Sequence, residues 1–343
     1  MKYAQKTSAV SPIVATLVLI VVAVVGAVAV GTILGTFSSD VSKQTDTGAV
    51  AGASQTEILT GGSTTVQPAS EQLAKVYMAQ HPGIKITVTG GSSDAGVAQT
   101  GSGVLDIGAS SDLSKITTAQ SAHADWDLRG YQIGASGVVF IASNEVGATL
   151  VENLTDATAT TGGLAGMYKF GGDSVNLTGI AEVWQRSDGS GTEETAAKAL
   201  GLGSNLDAYA AVGNAKAAIG NAGVYAAIRD STKKSVGFVD MGYVFDSSGN
   251  VIDPTKITVI SIADPSGKMT TSRANILTAA KVKLADPVSG TSTAYPVSLA
   301  RGLYYMTKGE PNSVVKNFIT FAEAPTSCDA MHAAGVFCNA DVA

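Results

Sequence analysis

Residues 186–194 read Arg-Ser-Asp-Gly-Ser-Gly-Thr-Glu-Glu. The residues that follow, Thr192–Leu200, carry a helical pattern that stops at Gly201, so the stretch reads as a loop handing over to a helix. The first N–H groups of a helix lack partners inside it and sit at the positive end of its dipole, so they attract anions. Glycine lets the backbone come close, and Ser or Thr hydroxyls add donors without adding charge. Taken alone, Ser190-Gly191-Thr192-Glu193 also satisfies the S-x-x-E capping box, a purely structural device.

Three loops upstream repeat the chemistry: Gly62-Ser63-Thr64-Thr65, Gly90-Gly91-Ser92-Ser93-Asp94 and Gly108-Ala109-Ser110-Ser111-Asp112. Each lies where a β-rich run gives way to a helical one. Strands are predicted at Glu57–Gly61, Ile84–Thr89, Leu105–Ala109, Gly137–Ala142, Val236–Val239 and Ile257–Ile262. Helices are predicted at Pro68–Gln80, where Pro68 suits a first turn, near Asp94–Thr100, at Thr192–Leu200 and at Ser313–Ala322. Such alternation, without internal repeats, predicts an α/β sheet domain. Four hydroxyl-rich helix starts and a single arginine, Arg186, in a chain with 15% charged residues, point to an oxyanion site.

Composition excludes several classes. The 343 residues include 22 basic and 28 acidic ones, for a net charge of -6, and no basic run could neutralise a nucleic-acid backbone. A hydrophobic fraction of 45% argues against disorder. His81, His123, His332 and the two cysteines have no metal-ligand spacing, so neither metal nor cofactor is implied. No His or Cys lies near the hydroxyl loops to activate a nucleophile, which argues against an enzyme such as a phosphatase. Trp126, Trp184, Tyr304 and Tyr305 are expected to pack rather than to touch a small anion.

The amino terminus speaks to compartment. No charge occurs from Thr7 to Ser39, and Ile13 to Leu34 is nearly all apolar, long enough to cross a bilayer as a helix. Lys2 and Lys6 precede it and Asp40 follows, which places the rest of the chain outside the cell. A cleaved secretory signal ending at Ala27-Val28-Ala29 is the competing reading. The stretch Ser8-Ala9-Val10-Ser11-Pro12-Ile13-Val14-Ala15-Thr16-Leu17 resembles the start of archaeal type IV pilins, which implies cleavage between Lys6 and Ser8. Residues 38–56 read as a flexible tether. Outside the cell, pairing of Cys328 with Cys338 is favoured. Asn153-Leu154-Thr155 and Asn176-Leu177-Thr178 are glycosylation sequons, compatible with that side.

In order, GSTTVQP, GGSSDAG, LDIGASSD and RSDGSGTEE resemble the substrate-binding protein of high-affinity phosphate ABC transporters, and SVGFVDMGYV and YPVSLARGLYYMTKGEP continue the likeness over about residues 57–323. The resemblance implies a two-lobed, type II-like periplasmic-binding-protein fold of class α/β, preceded by one hydrophobic helix. Residues 1–37 would be the anchor and 38–56 the linker. Lobe 1 would take about 57–136 and 240–343, and lobe 2 about 137–239. By match of motif, Ser63, Thr64, Thr65 and Ser93 would bind phosphate from lobe 1, and Arg186, Ser190, Gly191 and Thr192 from lobe 2, with Asp188 orienting Arg186. Related chains often have a carboxylate in Gly-Ala-Ser-Asp; here Ser111 takes that place and Asp112 comes one residue late, both being candidate contacts. The implied function is capture of inorganic phosphate and delivery to an ABC permease at the cell membrane. A surface filament subunit and a binding protein for sulfate, molybdate or tungstate are the alternatives.

Overall fold

The computed structural model describes residues 56–146, 151–155, 163–171, 180–188, 190–264 and 267–343. The expected anchor helix, all but the last residue of the tether, the sequon at Asn176 and Gly189 lie outside the described residues. Among the described residues no helix is long and apolar enough to cross a membrane.

The first lobe is built on β1 (Thr56–Ser63), β2 (Ile84–Gly91) and β3 (Ile107–Ser110), with α1 (Gln67–Gln80), α2 (Ser93–Gly101) and α3 (Leu113–Ala122) between and after them. β1 pairs in parallel with both β2 and β3, so all three strands end on one edge, where the hydroxyl loops follow.

β4 (Leu128–Ser143) holds the lobes together. Its first half pairs antiparallel with β12 (Ala300–Lys308), and its second half with β8 (Ser235–Asp240). Beyond β8 come β6 (Glu182–Arg186) and β7 (Ala215–Ala218), giving the order β2-β1-β3-β12-β4-β8-β6-β7. The sequence pattern predicts only Gly137–Ala142 because Gly130 and Gly134 dilute the β-branched signal in the first half. In place of the single strand expected at Ile257–Ile262, two short ones occur, Ile257–Val259 and Ser261–Asp264, parted where the Ile260 N–H turns to the Phe140 carbonyl.

Buried apolar side chains form two main clusters. One gathers Ile58, Leu73, Ile107, Tyr305 and Phe318; the other Phe140, Tyr168, Phe238, Leu200 and Leu299. The helix Ser313–Glu323 shows why it folds: Val315, Phe318, Ile319 and Ala322 recur at i, i+3, i+4 and i+7 and are the residues it buries. Residues between Val244 and Ala300 contribute to the second cluster, and from Leu303 the chain returns to the first, apart from Phe337 and Val342, which pack in the second. The aromatics pack, with Tyr305 fully buried and Trp126 stacked on His123 at 4.0 Å between ring centres.

Cys328 and Cys338 are joined, with Cα atoms 5.1 Å apart, and pin the last helical turns to β4 through the short strand Phe337–Cys338. Closing a loop of this length contributes about 2–3 kcal/mol by restricting the unfolded chain. Denaturant melts with and without reductant should therefore differ by that amount, with equal midpoints as the contrary result.

Candidate anion-binding site

All four hydroxyl loops meet at the seam between the lobes. The Ser63 hydroxyl donates to Ser111 Oγ at 3.1 Å, and the Ser111 N–H donates to Ser93 Oγ at 3.3 Å, joining three loops within the first lobe. From the second lobe, α5 (Gly191–Leu200) brings Thr192, whose Oγ1 lies 2.9 Å from Thr65 Oγ1. Arg186, at the end of β6, donates from Nη2 to Thr64 Oγ1 at 3.0 Å. The last two contacts join residues more than a hundred positions apart.

Gly191 shows how close the lobes are. A Cβ there would lie 2.4 Å from Ser111 Oγ and 3.2 Å from Ser93 Oγ, so a side chain at this position would displace the facing hydroxyls.

The hydroxyl hydrogens define what the seam can do. A hydroxyl carries one hydrogen and accepts up to two bonds. Thr192 Oγ1 receives Asn221 Nδ2 at 3.4 Å and Arg301 Nη2 at 3.1 Å, so its own hydrogen goes to Thr65. Thr64, Thr65, Ser93 and Ser111 are each left as acceptors, and their own hydrogens have no acceptor among the described residues. Arg186 Nη1 is also buried without a partner. Surplus donors with no acceptor suit an anion that only accepts.

Arg186 is 1% exposed and tied to Asp188 through Nε at 2.8 Å and through Nη2. Burial pushes the Asp188 carboxyl up, but Arg186 and the Gly220 N–H outweigh that and hold it below its ordinary value. The orienting role expected of Asp188 thus has its geometry.

Two expected residues also serve as helix caps. Asp112 spends its side chain on capping α3, accepting the Ser114 N–H at 2.8 Å, with Lys198 Nζ 3.5 Å away. Burial raises its carboxyl, and the Ser114 bonds with Lys198 and Lys115 more than reverse this. Ser190 caps α5, accepting the N–H groups of Thr192 and Glu193. The capping box is half made: the Glu193 side chain turns away to accept the Leu206 N–H at 2.8 Å.

The expectation of a single arginine was incomplete. Arg301, on β12, is 4% exposed; its Nη2 donates to Asp240 Oδ2 at 2.6 Å as well as to Thr192. Asp240 is further held by the Ser136 hydroxyl at 2.7 Å and by the Gly242 N–H at 3.0 Å. Ser-Leu-Ala-Arg-Gly-Leu has no loop signature, and only the antiparallel register of Arg301 with Ser136 brings it here. A cavity of about 570 Å3 opens beside the seam, with Ser111, Asp112, Arg301 and Tyr304 in its wall. His332, Cys338 and Asp341 are the one cluster of potential metal-ligand atoms among the described residues, and the Cys338 sulfur is taken by the disulfide.

Two α/β lobes on a shared strand, with unsatisfied donors between them, define a two-lobed binding protein. The chain belongs to the PBP superfamily: the model of the PBP superfamily domain matches residues 47–324. No curated protein is similar enough to match it. It is similar to a solved Clostridium perfringens protein with bound phosphate, described as a phosphate ABC transporter substrate-binding protein (18% identity, 82% of this chain, 99% of that one, TM-score 0.57). An ABC-type phosphate transport receptor from Vibrio cholerae is alike at 20% identity over 82% of this chain and 99% of its own, with a TM-score of 0.52. The periplasmic molybdate-binding protein of Azotobacter vinelandii follows at 13% identity, 81% and 98% coverage and a TM-score of 0.49. At these identities the first two likenesses show the fold alone.

Burial pushes the Glu193 carboxyl from its ordinary 4.5 up to about 6, against the Leu206 N–H bond. The folded state therefore holds this proton more tightly than the unfolded one, so stability falls as pH rises from 4.5 to 6 and is level above. Glu193→Gln should be more stable than wild type at pH 7, by about 2 kcal/mol, with the gap closing below pH 4.5. Melts across that range check this, and a pH-independent gap would contradict it.

Proposed function

We propose that the chain is an extracytoplasmic solute-binding protein that closes on inorganic phosphate and hands it to an ABC permease. The observation that carries this reading is the set of hydroxyl hydrogens on Thr64, Thr65, Ser93 and Ser111, together with Arg186 Nη1, that have no acceptor among the described residues at the seam. A tetrahedral oxyanion offers several acceptor oxygens in a small volume, and buried donors reward it for each one met. Two fold relatives described as phosphate transport proteins make phosphate the first ligand to try. Capture would follow from lobe movement about the shared strands, since contacts such as Thr65 with Thr192 exist only when the lobes are together.

The N-terminal apolar run would hold the domain at the outer face of the membrane, or pack it into a surface filament. Without Lys2 and Lys6 the chain keeps 20 basic against 28 acidic residues, so long-range attraction does not bring the anion in. Local donors must hold it.

Calorimetric titration of the full chain with phosphate, sulfate and molybdate tests the reading; saturable phosphate binding is expected, and no binding of any of the three overturns it. Arg186→Ala should weaken phosphate roughly 10- to 150-fold, the worth of one charged hydrogen bond. Gly191→Ala should weaken it at least about tenfold while the ligand-free melting temperature holds, because the methyl group blocks closure rather than folding.

A further inference from the structure

Among the described residues, four buried side-chain nitrogen or oxygen atoms have no hydrogen-bond partner: Thr60 Oγ1, Arg186 Nη1, Arg301 Nε and Arg301 Nη1. Three of the four belong to two guanidinium groups at the seam. A guanidinium brings five N–H hydrogens, all donors, and cannot shed its charge to escape the cost of burial. Arg301 uses Nη2 alone, on Asp240 and Thr192, and leaves Nε and Nη1 idle.

The position of Arg301 is tied to the other donors by shared partners. Its Nη2 and Thr65 meet at one Thr192 hydroxyl, and Arg186 is bonded to Thr64, the neighbour of Thr65. Burial lowers the Arg301 pKa, Asp240 opposes this, and the Arg186 charge lowers it further, so the two cations feel one another. Asp240 does not answer the idle side of Arg301: its Oδ2 takes Arg301 Nη2 and the Ser136 hydroxyl, its Oδ1 takes the Gly242 N–H, and neither oxygen bonds Nε or Nη1. Arg301 also reaches the wall of the cavity that Ser111 lines, so a ligand entering there meets both.

We propose that Arg301 is a second guanidinium ligand of the oxyanion, donating from Nε and Nη1, and is not only the counter-charge of Asp240. This rests on the oxyanion reading above. It makes the site two-armed: Arg186 from β6 of one lobe and Arg301 from the strand β12 would grip different oxygens of the same ion. Closure would then depend on the anion, because without it the idle N–H groups of both arginines remain buried and unmet.

The two roles of Arg301 separate in a pair of variants. Arg301→Gln removes the cation but leaves Asp240 buried and uncompensated; Arg301→Gln with Asp240→Asn removes both charges and keeps the polar contacts. If Arg301 binds the anion, both variants lose phosphate and sulfate affinity by roughly 10- to 150-fold in calorimetry. Wild-type affinity in the double variant would overturn the proposal, since neutralising Asp240 would then have been the whole role. Should either variant fail to fold, a crystal structure of the wild-type chain with phosphate decides: an oxygen within about 3.2 Å of Arg301 Nε or Nη1 supports it, and both nitrogens out of reach overturn it. A wild-type chain that binds phosphate while the double variant binds it equally well refutes this proposal alone. A wild-type chain that binds no oxyanion takes the reading beneath it down as well.

Discussion

Two guanidinium groups, Arg186 and Arg301, lie almost wholly out of water at the seam between the lobes. An ion moved from water into a protein interior loses several kcal/mol of solvation, and only close counter-charges and hydrogen bonds return it. Asp188 meets Arg186 and Asp240 meets Arg301. Those two pairs fix the rest of the arrangement. Asp188 also takes the Gly220 N–H at the start of a helix, and Asp240 sits where β8 ends and the chain crosses back. Each counter-charge therefore ties a cation to a structural junction.

The hydroxyl loops solve a second problem. An anion site made of cations alone would repel itself when empty, whereas Ser and Thr can bond to one another until a ligand arrives. Ser63 with Ser111, both in the first lobe, is such a holding contact. It spends the Ser63 hydrogen and leaves that of Ser111 available. The shared strand β4 makes the exchange of partners possible, because it belongs to both sheets and lets the lobes turn about one continuous backbone.

The strand–loop–helix grammar was legible because it is local. The helix Ser313–Glu323 declares itself by apolar spacing, and Gly201 ends α5 with φ of 71°, as the sequence implies. Runs such as Gly62–Thr65 and Gly108–Asp112 mark helix starts for the same reason: hydroxyl and glycine residues satisfy end groups that any helix exposes. The first half of β4 was not legible, since its glycines are tolerated by neighbours that sequence order does not name. Asp112 shows the limit from the other side. Its type suggested an anion contact, and the fold spends it on a helix cap and Lys198 at the wall of the cavity.

By itself the sequence determined the α/β class, the places where helices begin, and the presence of uncharged donors there. These depend on spacing over fewer than about ten residues, a range within which backbone geometry leaves few choices. Only the tertiary structure decided which donors share a seam, that Glu193 leaves its half of the capping box for Leu206, and that Arg301 stands beside Thr192. Strand register across a sheet and the docking of two lobes join residues such as Thr65 and Thr192, which no local rule connects.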